Sequence, residues 1–586
     1  MIAGIWLPEG HSDAESVLAR LSRAVEMAPC LTAQRQQCAL AVWPLAPSGR
    51  IDNDQCVAWT GIPRKTFSRV GLANAGRLGG QYAVIAGASK GLVLGCGFPT
   101  GRCLYFVRLP CGAVAACSRL EPLAACLDGA SPNRDALAAL LLARSPADAS
   151  ATVFHEIRRV KAGEAVLVDS RGIVEKDDAV IEVLPHFGAP DDLASELRAV
   201  LQRAVERSIG SARRVAVLVS GGLDSSSVLA HAVAVARGAT RREIDAITWS
   251  FGGPGDDRPY LRELCEDLGI LPVRIFSGQA APRILDAMIA DGAPLIWPTA
   301  APRLTAFETA RDRGAEVILT GTGGDQVFGG DPRVLAPRVA SRDWFRTVFR
   351  RDEGERGAPF LRIARSIRHL VAPAVASKFP MIQRHRRRRY AHQRWPWAGP
   401  YLRRVMTEMV VRAQPNRDFS TVTSEAKLKR LAANDFALLA SNCTQMEALA
   451  GVTQADPLLD DEVVALTSSF PQHMLLFEGR QRGLFRHAMR QLLPERLRLR
   501  RDKAVFEPAI AELVQGGNLN ELRDLASMKM LGDMGLVCPQ TYRRHFEALI
   551  AAGGESRNWL PLWPALAVEA FVRSQWGDLG RKHRGR

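Results

Sequence analysis

The sequence has no CxxC pair, no GxxxxGK followed by Ser or Thr, and no long apolar run. Each absence excludes something. No stretch approaches the roughly 20 apolar residues that a spanning helix needs, so no membrane span is expected. Without the GxxxxGK string the chain is not a P-loop nucleotidase. The opening Met1–Glu9 carries no basic n-region and soon turns acidic, so no secretory leader is expected and the chain reads as cytoplasmic. Among its 11 cysteines, Cys96, Cys103, Cys111, Cys117 and Cys126 cluster, but no His or second Cys stands at zinc-ligand spacing. They read as buried, reduced thiols. No repeat of solenoid length occurs. Basic and aromatic residues do not interleave, so nucleic acid is not an expected partner.

What is present is a globular composition over 586 residues, 47% apolar and 24% charged, enough for a large core. The net charge of +16 is compatible with nucleic acid, an anionic surface or an acidic substrate, and charge alone does not choose. The excess gathers in the block Arg384–Arg389 and the tail Arg581–Arg586. The block reads either as a solvated face or as a hold for an acidic stretch of a partner.

Residues 1 to about 185 alternate short apolar runs with Gly and Pro. Strands are expected at Tyr82–Ala86, Leu92–Leu94, Leu104–Val107 and Ala165–Val168, with a helix at Ala136–Ala143, giving an α+β unit. Apolar residues at helical spacing predict a helix from Asp191 to Ser208. The pattern then changes. Val215–Val219 is a continuous apolar run, as in a parallel strand buried on both faces. Helix Ser225–Ala236, strand Asp245–Trp249, helix Tyr260–Leu268, strand Val273–Phe276, helix Leu304–Arg313 and strand Glu316–Leu319 follow. This alternation predicts an α/β fold with a doubly wound parallel sheet. Residues from about 335 to 575 read as mostly helical. Ligands of such sheets bind at the carboxyl ends of the strands, which points to the turns after Val219 and Leu319.

The first turn is Ser220–Gly221–Gly222–Leu223–Asp224–Ser225–Ser226. Its glycines let backbone N–H groups approach an anion, and a helix N-terminus adds unpaired donors and a favourable dipole. Asp224 cannot bind phosphate directly, but a magnesium ion bridging carboxylate and phosphate resolves the repulsion. The second turn, Thr320–Gly321–Thr322–Gly323–Gly324–Asp325, again places one carboxylate in a glycine-rich turn after a strand. Asp224 and Asp325 could therefore hold one Mg²⁺ from two sides.

These strings resemble the asparagine synthetase superfamily, and the first is similar to the pyrophosphate loop of the N-type ATP pyrophosphatases. The resemblance extends to Val153–Glu164, similar to the end of that superfamily's amidotransferase domain, and to Ser250–Gly252 with Asp257 and Tyr260. It also takes in Asp456–Asp460, similar to its VPFLD segment, and Arg500–Phe506, similar to its late lysine segment. It implies a class II glutamine amidotransferase-like domain of the Ntn type (α+β) over 1–188 and an ATP pyrophosphatase domain over 189–586, with a helical, basic insertion at about 335–420. The implied chemistry is activation of a carboxylate by ATP as an acyl-adenylate, then attack by an amine. Ser220, Gly221, Gly222, Asp224, Ser225 and Ser226 would cradle the phosphates, and Asp224 and Asp325 would ligate Mg²⁺. Lys503 would neutralise charge on the α-phosphate and the tetrahedral intermediate; the plain alternative is a surface lysine. Leu218 and Ser250 would border adenine, and Gly323 and Gly324 would let the turn approach the acyl group. The amine's base is unassigned: Asp435 and Glu447 lie on a plausible helix facing the site, although each also reads as a solvated carboxylate.

Two departures narrow the resemblance. Glutamine-dependent members begin Met-Cys-Gly, whereas Ile2 and Ala3 stand here, so the nucleophile that glutamine hydrolysis requires is missing. Thr322 replaces the glutamate of asparagine synthetases and the tyrosine of β-lactam synthetases, and is neither a useful acid nor a base near neutral pH. The lasso peptide macrolactam synthetases accommodate both. Resemblance to that branch implies adenylation of an Asp or Glu side chain in a precursor peptide and closure by the peptide's own N-terminal amine. It also implies a leader-peptide-binding protein and a cysteine protease as partners. The alternatives are a small-molecule amide ligase, like asparagine synthetase or β-lactam synthetase, and a catalytically dead nucleic-acid-binding protein, suggested by the charge alone.

Overall fold

The computed structural model describes residues 1–330, 393–412, 436–553 and 559–577, apart from short breaks that include 64–70, 99–101, 180–182 and position 503. The N-terminal region contributes β1 (Ile2–Trp6), β2 (Leu31–Arg35), β3 (Cys38–Val42), β4 (Arg50–Asp52), β5 (Val57–Pro63), β6 (Gly80–Ala88), β7 (Gly91–Cys96), β8 (Tyr105–Arg108), β9 (Val114–Cys117), β10 (Arg158–Arg159), β11 (Glu164–Asp169) and β12 (Gly172–Asp178). They form two antiparallel sheets, ordered β10-β8-β9-β1-β3-β2 and β12-β11-β7-β6-β5-β4. The two-residue side-chain period builds the layers. Ile2, Leu40 and Ala116 of the first sheet meet Ile85, Leu94 and Val166 of the second in one core. Ala3 and Ile5 point the other way, into a core shared with helices Ala14–Ala24, Leu120–Ala125, Arg134–Leu141 and Trp559–Trp576. β1 is thus buried on both faces.

The second part is built on β13 (Arg214–Leu218), β14 (Glu243–Trp249), β15 (Pro272–Ile275), β16 (Val317–Thr320) and β17 (Thr453–Ala455). All neighbouring pairs are parallel, in the order β15-β14-β13-β16-β17. Val215 and Val217 pack with helices Pro190–Ile209 and Leu223–Arg237 on one face. Ala216 and Ile318 pack with helix Ala300–Asp312 on the other, which accounts for the unbroken apolar run of β13. The winding runs from β13 through β14 to β15 on one side, and from β16 to β17 on the other. The direction reverses between β13 and β16, where ligand crevices form in doubly wound sheets.

The expected strands and helices stand within one to four residues of their observed bounds. β17 is new: three residues beyond the helical stretch return to complete the sheet. Described helices include Pro400–Arg412, Phe436–Ala450, Asp461–Ser469 and Pro539–Ala551, in keeping with a helical C-terminal part. Residues 331–392 and 413–435, with Arg384–Arg389, lie outside the described residues, as does the tail Arg581–Arg586. Cys96, Cys103, Cys117 and Cys126 are buried free thiols, but Cys111 is exposed at a turn, which corrects the expectation for that residue. No group of three metal-ligating side chains occurs among the described residues, and no described helix is long and apolar enough to cross a membrane.

One helix contact carries a pH prediction. His231 is buried on helix Leu223–Arg237, with Nδ1 3.1 Å from Gln202 Oε1 and no partner for Nε2 among the described residues. Burial, reinforced by Arg198, lowers its pKa to about 4. The unfolded chain therefore binds the proton first, and stability falls as pH drops from about 6.5 towards 4. His231→Gln should remove about 2 kcal/mol of the stability difference between pH 7 and pH 5. Denaturant midpoints at the two pH values measure this, and an unchanged difference would refute it.

Candidate active site

The turn after β13 is fixed by its own hydroxyls. Ser220 N–H donates to Ser225 Oγ (3.0 Å), Gly222 N–H donates to Ser220 Oγ (3.3 Å), and Ser226 Oγ donates to the Ser220 carbonyl (3.1 Å). The serines expected to face a phosphate thus brace the turn. Helix Leu223–Arg237 then starts at Gly222 with no side-chain cap, so its first N–H groups and the positive end of its dipole face the crevice. Gly221 lies against the carbonyl of Asp257.

The turn after β16 is pressed onto this one. A Cβ at Gly324 would stand 2.3 Å from Cγ of Asp224, and one at Gly321 would stand 2.5 Å from the Ser225 nitrogen. Glycine at these two places is what allows the turns to touch. Gly323 opens the short helix Gly324–Phe328 in the left-handed region. Asp224 and Asp325 converge as expected, and a residue the sequence reading passed over marks the point. Arg482 Nη1 lies 2.6 and 2.8 Å from the two oxygens of Asp224 and 3.2 Å from Asp325 Oδ1. Arg482 is nearly buried and itself left-handed, at φ 58°.

A second arginine ties the loops together. Arg500 donates to the carbonyls of Gly221 (2.9 Å) and Gly255, pairs with Asp257 and Asp502, and stacks over the Tyr260 ring at 4.1 Å. Burial raises the pKa of Asp257, with Arg500 opposing the shift. The segment that follows is pinned by rings: Phe506 lies 5.9 Å from Trp249 and 5.3 Å from Phe251. Leu218 and Ser250 stand at neighbouring strand ends, on β13 and just past β14, and Ser250 N–H donates to the Ile275 carbonyl.

Behind the second turn runs a buried polar chain. Thr322 and Thr320 hydroxyls are 2.7 Å apart, Thr320 Oγ1 donates to Asp456 Oδ1, and Gln454 Nε2 donates to Asp456 as well. Gln454 N–H donates to Glu447, which pairs with Arg102 of the N-terminal region at 2.9 Å. Burial raises the pKa of Glu447, and Arg102 pulls it back. Glu447 is therefore not a solvated carboxylate; it faces the N-terminal sheets.

Residues 196–573 match the asparagine synthase family, well over half of the chain. The chain belongs to this family. It is also similar to the glutamine-hydrolyzing asparagine synthetase 3 of Bacillus subtilis (strain 168), 20% identical over 371 residues. The match covers 58% of this chain and 53% of that protein, so the chain spans about half the length of this relative.

In this asparagine synthase family chain the structure brings together Asp224, Asp325, Gly323, Gly324 and the serine turn, and adds Arg482 and Arg500. Lys503 and Asp435 lie outside the described residues. Arg500, quoted in the sequence as part of a motif, gave no sign of reaching Gly221, 279 positions away. Beside the site a cleft of about 1480 Å³ opens, lined by Arg134, Asp148 and His155 from the N-terminal region and by Gln326, Tyr401 and Glu408. Of its lining residues, Gln326 is next to Asp325 in the sequence.

Arg500→Lys should lower kcat/KM for ATP roughly 10- to 100-fold, since an ammonium cannot reproduce the forked contacts and loses one or two charge-assisted hydrogen bonds. Pyrophosphate release at varied ATP measures this. A value within twofold of wild type would show that the loops hold without the fork.

Proposed function

We propose that this chain is an ATP-dependent carbon–nitrogen ligase that forms an acyl-adenylate, releases pyrophosphate and lets an amine displace AMP. One observation carries this reading: two glycine turns at the switch point of a doubly wound sheet, with Asp224 and Asp325 within 3.2 Å of one nitrogen, Arg482 Nη1. Paired carboxylates beside an uncapped helix N-terminus suit a nucleoside triphosphate with its cation. The donor set fits Mg²⁺, which takes one or two carboxylates and completes its shell with phosphate oxygens and water. Asp224 and Asp325 would hold the Mg²⁺, which would supply charge neutralisation for the triphosphate. Arg482, which pairs with both carboxylates, would add positive charge beside the phosphates, and the turn's N–H groups would hold the departing pyrophosphate. Lys503, three positions after Arg500 in the sequence, would neutralise charge on the α-phosphate. Leu218 and Ser250 would border the adenine.

We further read the substrate as a precursor peptide, whose Asp or Glu side chain is joined to its own N-terminal amine in a macrolactam, as in lasso peptide biosynthesis. In support, position 2 holds Ile2, fully buried in β1, and this position offers no thiol for glutamine hydrolysis. Thr322 stands where free ammonia or a small amine would be handled by a stronger group. The cleft beside Gln326 has room for a peptide, exceeding the roughly 300–1,000 Å³ typical of small-molecule sites. A leader-binding protein and a cysteine protease would deliver the freed amine, and no nucleic acid takes part.

The test is pyrophosphate release from Mg-ATP with three substrate sets: aspartate plus ammonia, aspartate plus glutamine, and a leaderless peptide with N-terminal Gly and an Asp or Glu several residues later. Release with the peptide alone, with a product lighter by one water, supports the cyclase reading. Release with aspartate and ammonia assigns a small-molecule ligase instead.

A further inference from the structure

Amide formation by this route leaves a proton to remove. The attacking nitrogen carries one hydrogen too many once it has bonded to the acyl carbon, and Thr322 alone cannot keep it. The structure shows what stands behind Thr322. Thr320 Oγ1 donates its only hydrogen to Asp456 Oδ1. It must therefore accept at its other contacts, the Thr322 hydroxyl at 2.7 Å and the Thr322 N–H at 3.1 Å. The Thr322 hydroxyl thus donates inward, and its lone pairs are left to accept a proton. Thr322 is half-buried at the turn, whereas Thr320 and Asp456 behind it are enclosed, at 2% and 5% exposed. A line of oxygens runs from the accessible turn to an enclosed carboxylate.

We propose that Thr322, Thr320 and Asp456 form a proton relay, with Asp456 as the acceptor for the amine's surplus proton. The inference rests on the amide-forming reading of the site. In the step, the amine nitrogen bonds to the acyl carbon, and that carbon's bond to the AMP oxygen breaks with its electron pair leaving on AMP. The N–H proton passes to Thr322 Oγ1 as the Thr322 hydroxyl proton passes to Thr320 Oγ1 and the Thr320 proton to Asp456 Oδ1. Each hydroxyl gains one proton and loses one, and the carboxylate becomes a carboxylic acid. Thr322 is the catalytic member, because it alone meets the amine. Thr320 and Asp456 act through it.

Asp456 is held for this role from several sides. Gln454 Nε2 donates to both its oxygens at 2.9 and 3.0 Å, which orients the carboxylate. Its backbone is gripped from the N-terminal sheets by Gln81, whose Nε2 donates to the Asp456 carbonyl at 2.9 Å. The other ionisable groups around it are Arg102, Glu447 and Cys443. Arg102 and Glu447 pair with each other, so Asp456 takes its hydrogen bonds from the neutral donors Thr320 and Gln454.

The two half-reactions separate this inference from the reading beneath it. ATP–pyrophosphate exchange, and trapping of the acyl-adenylate by hydroxylamine, report the first step with the leaderless peptide named above. Hydroxylamine is an intrinsically strong nucleophile with less need of a base. Amide closure, seen as loss of one water, reports the second. Thr322→Val, Thr320→Val and Asp456→Asn should each slow closure about 100-fold, the usual size of a general-base contribution. Exchange and hydroxamate yield should stay within about threefold, and Thr322→Ser should restore closure, because it keeps the hydroxyl. Closure at the wild-type rate in Thr322→Val and Asp456→Asn overturns the relay. Equal loss of exchange and closure overturns it too, by assigning the residues a structural role. No exchange in the wild-type chain with either the peptide or aspartate overturns the amide-forming reading, and the relay with it.

Discussion

Asp224→Asn should reduce ATP-dependent pyrophosphate release by about 10³-fold, in line with the loss of one preorganised charge at a reacting phosphate. The side chain keeps its shape and loses its charge, so the turn should remain folded. What changes is the electrostatic balance around Arg482. The wild-type guanidinium meets two carboxylates, at 2.6 and 3.2 Å, and the asparagine leaves it only Asp325, whose side chain is 57% exposed. The cation that a triphosphate needs then has one anchor in place of two. Asp325→Asn should cost less, because that carboxylate is the more hydrated. Far-UV circular dichroism should show both variants folded, with melting points close to wild type. A fully active Asp224→Asn would remove the observation on which the functional reading stands.

Much of this site was legible in the sequence, and the reason is local. β13 is buried on both faces, so it writes itself as an unbroken apolar run, and the turns at β13 and β16 are spelled in contiguous glycines, serines and aspartates. Their meeting was inferable because parallel strands place equivalent ends side by side. Arg482 was not legible. It comes from the N-terminus of the short helix Gly483–Ala488 and reaches Asp224 across 258 positions, among many arginines of which any could have done so. Thr320 and Asp456 were hidden for a related reason. A threonine closing a strand and an aspartate before a proline are ordinary in isolation, and their hydrogen bond exists only because β17 pairs with β16. β17 itself, Thr-Gln-Ala, has no strand pattern at all, and its register is set by what surrounds it. Glu447 was misread in the other direction, since nothing near it in sequence announces Arg102.

Arg102→Met should destabilise the chain by about 3–5 kcal/mol, the cost of stranding a buried charge. Arg102 and Glu447 are 4% and 6% exposed, and Arg102 also donates to the Gln454 carbonyl and to Cys443. Removing the guanidinium leaves Glu447 enclosed without its ion-pair partner. The double change Arg102→Met with Glu447→Met should recover most of the loss, because replacing a buried pair by apolar side chains of similar size is often neutral. Denaturant unfolding of the wild type, the two single variants and the double variant measures the coupling, and a single Arg102→Met variant as stable as wild type would refute it. The expected consequence reaches the chemistry. Gln454 bonds Glu447 through its backbone and Asp456 through its side chain, while Gln81 grips Asp456 from the same N-terminal sheets. The N-terminal region thus has a structural part in the site: it supplies the wall against which the turn after β16 is held. The double variant, stable again but without Arg102, should separate the two effects, with adenylation near wild type and amide closure slowed as the Asp456 carboxylate loses its fixed position.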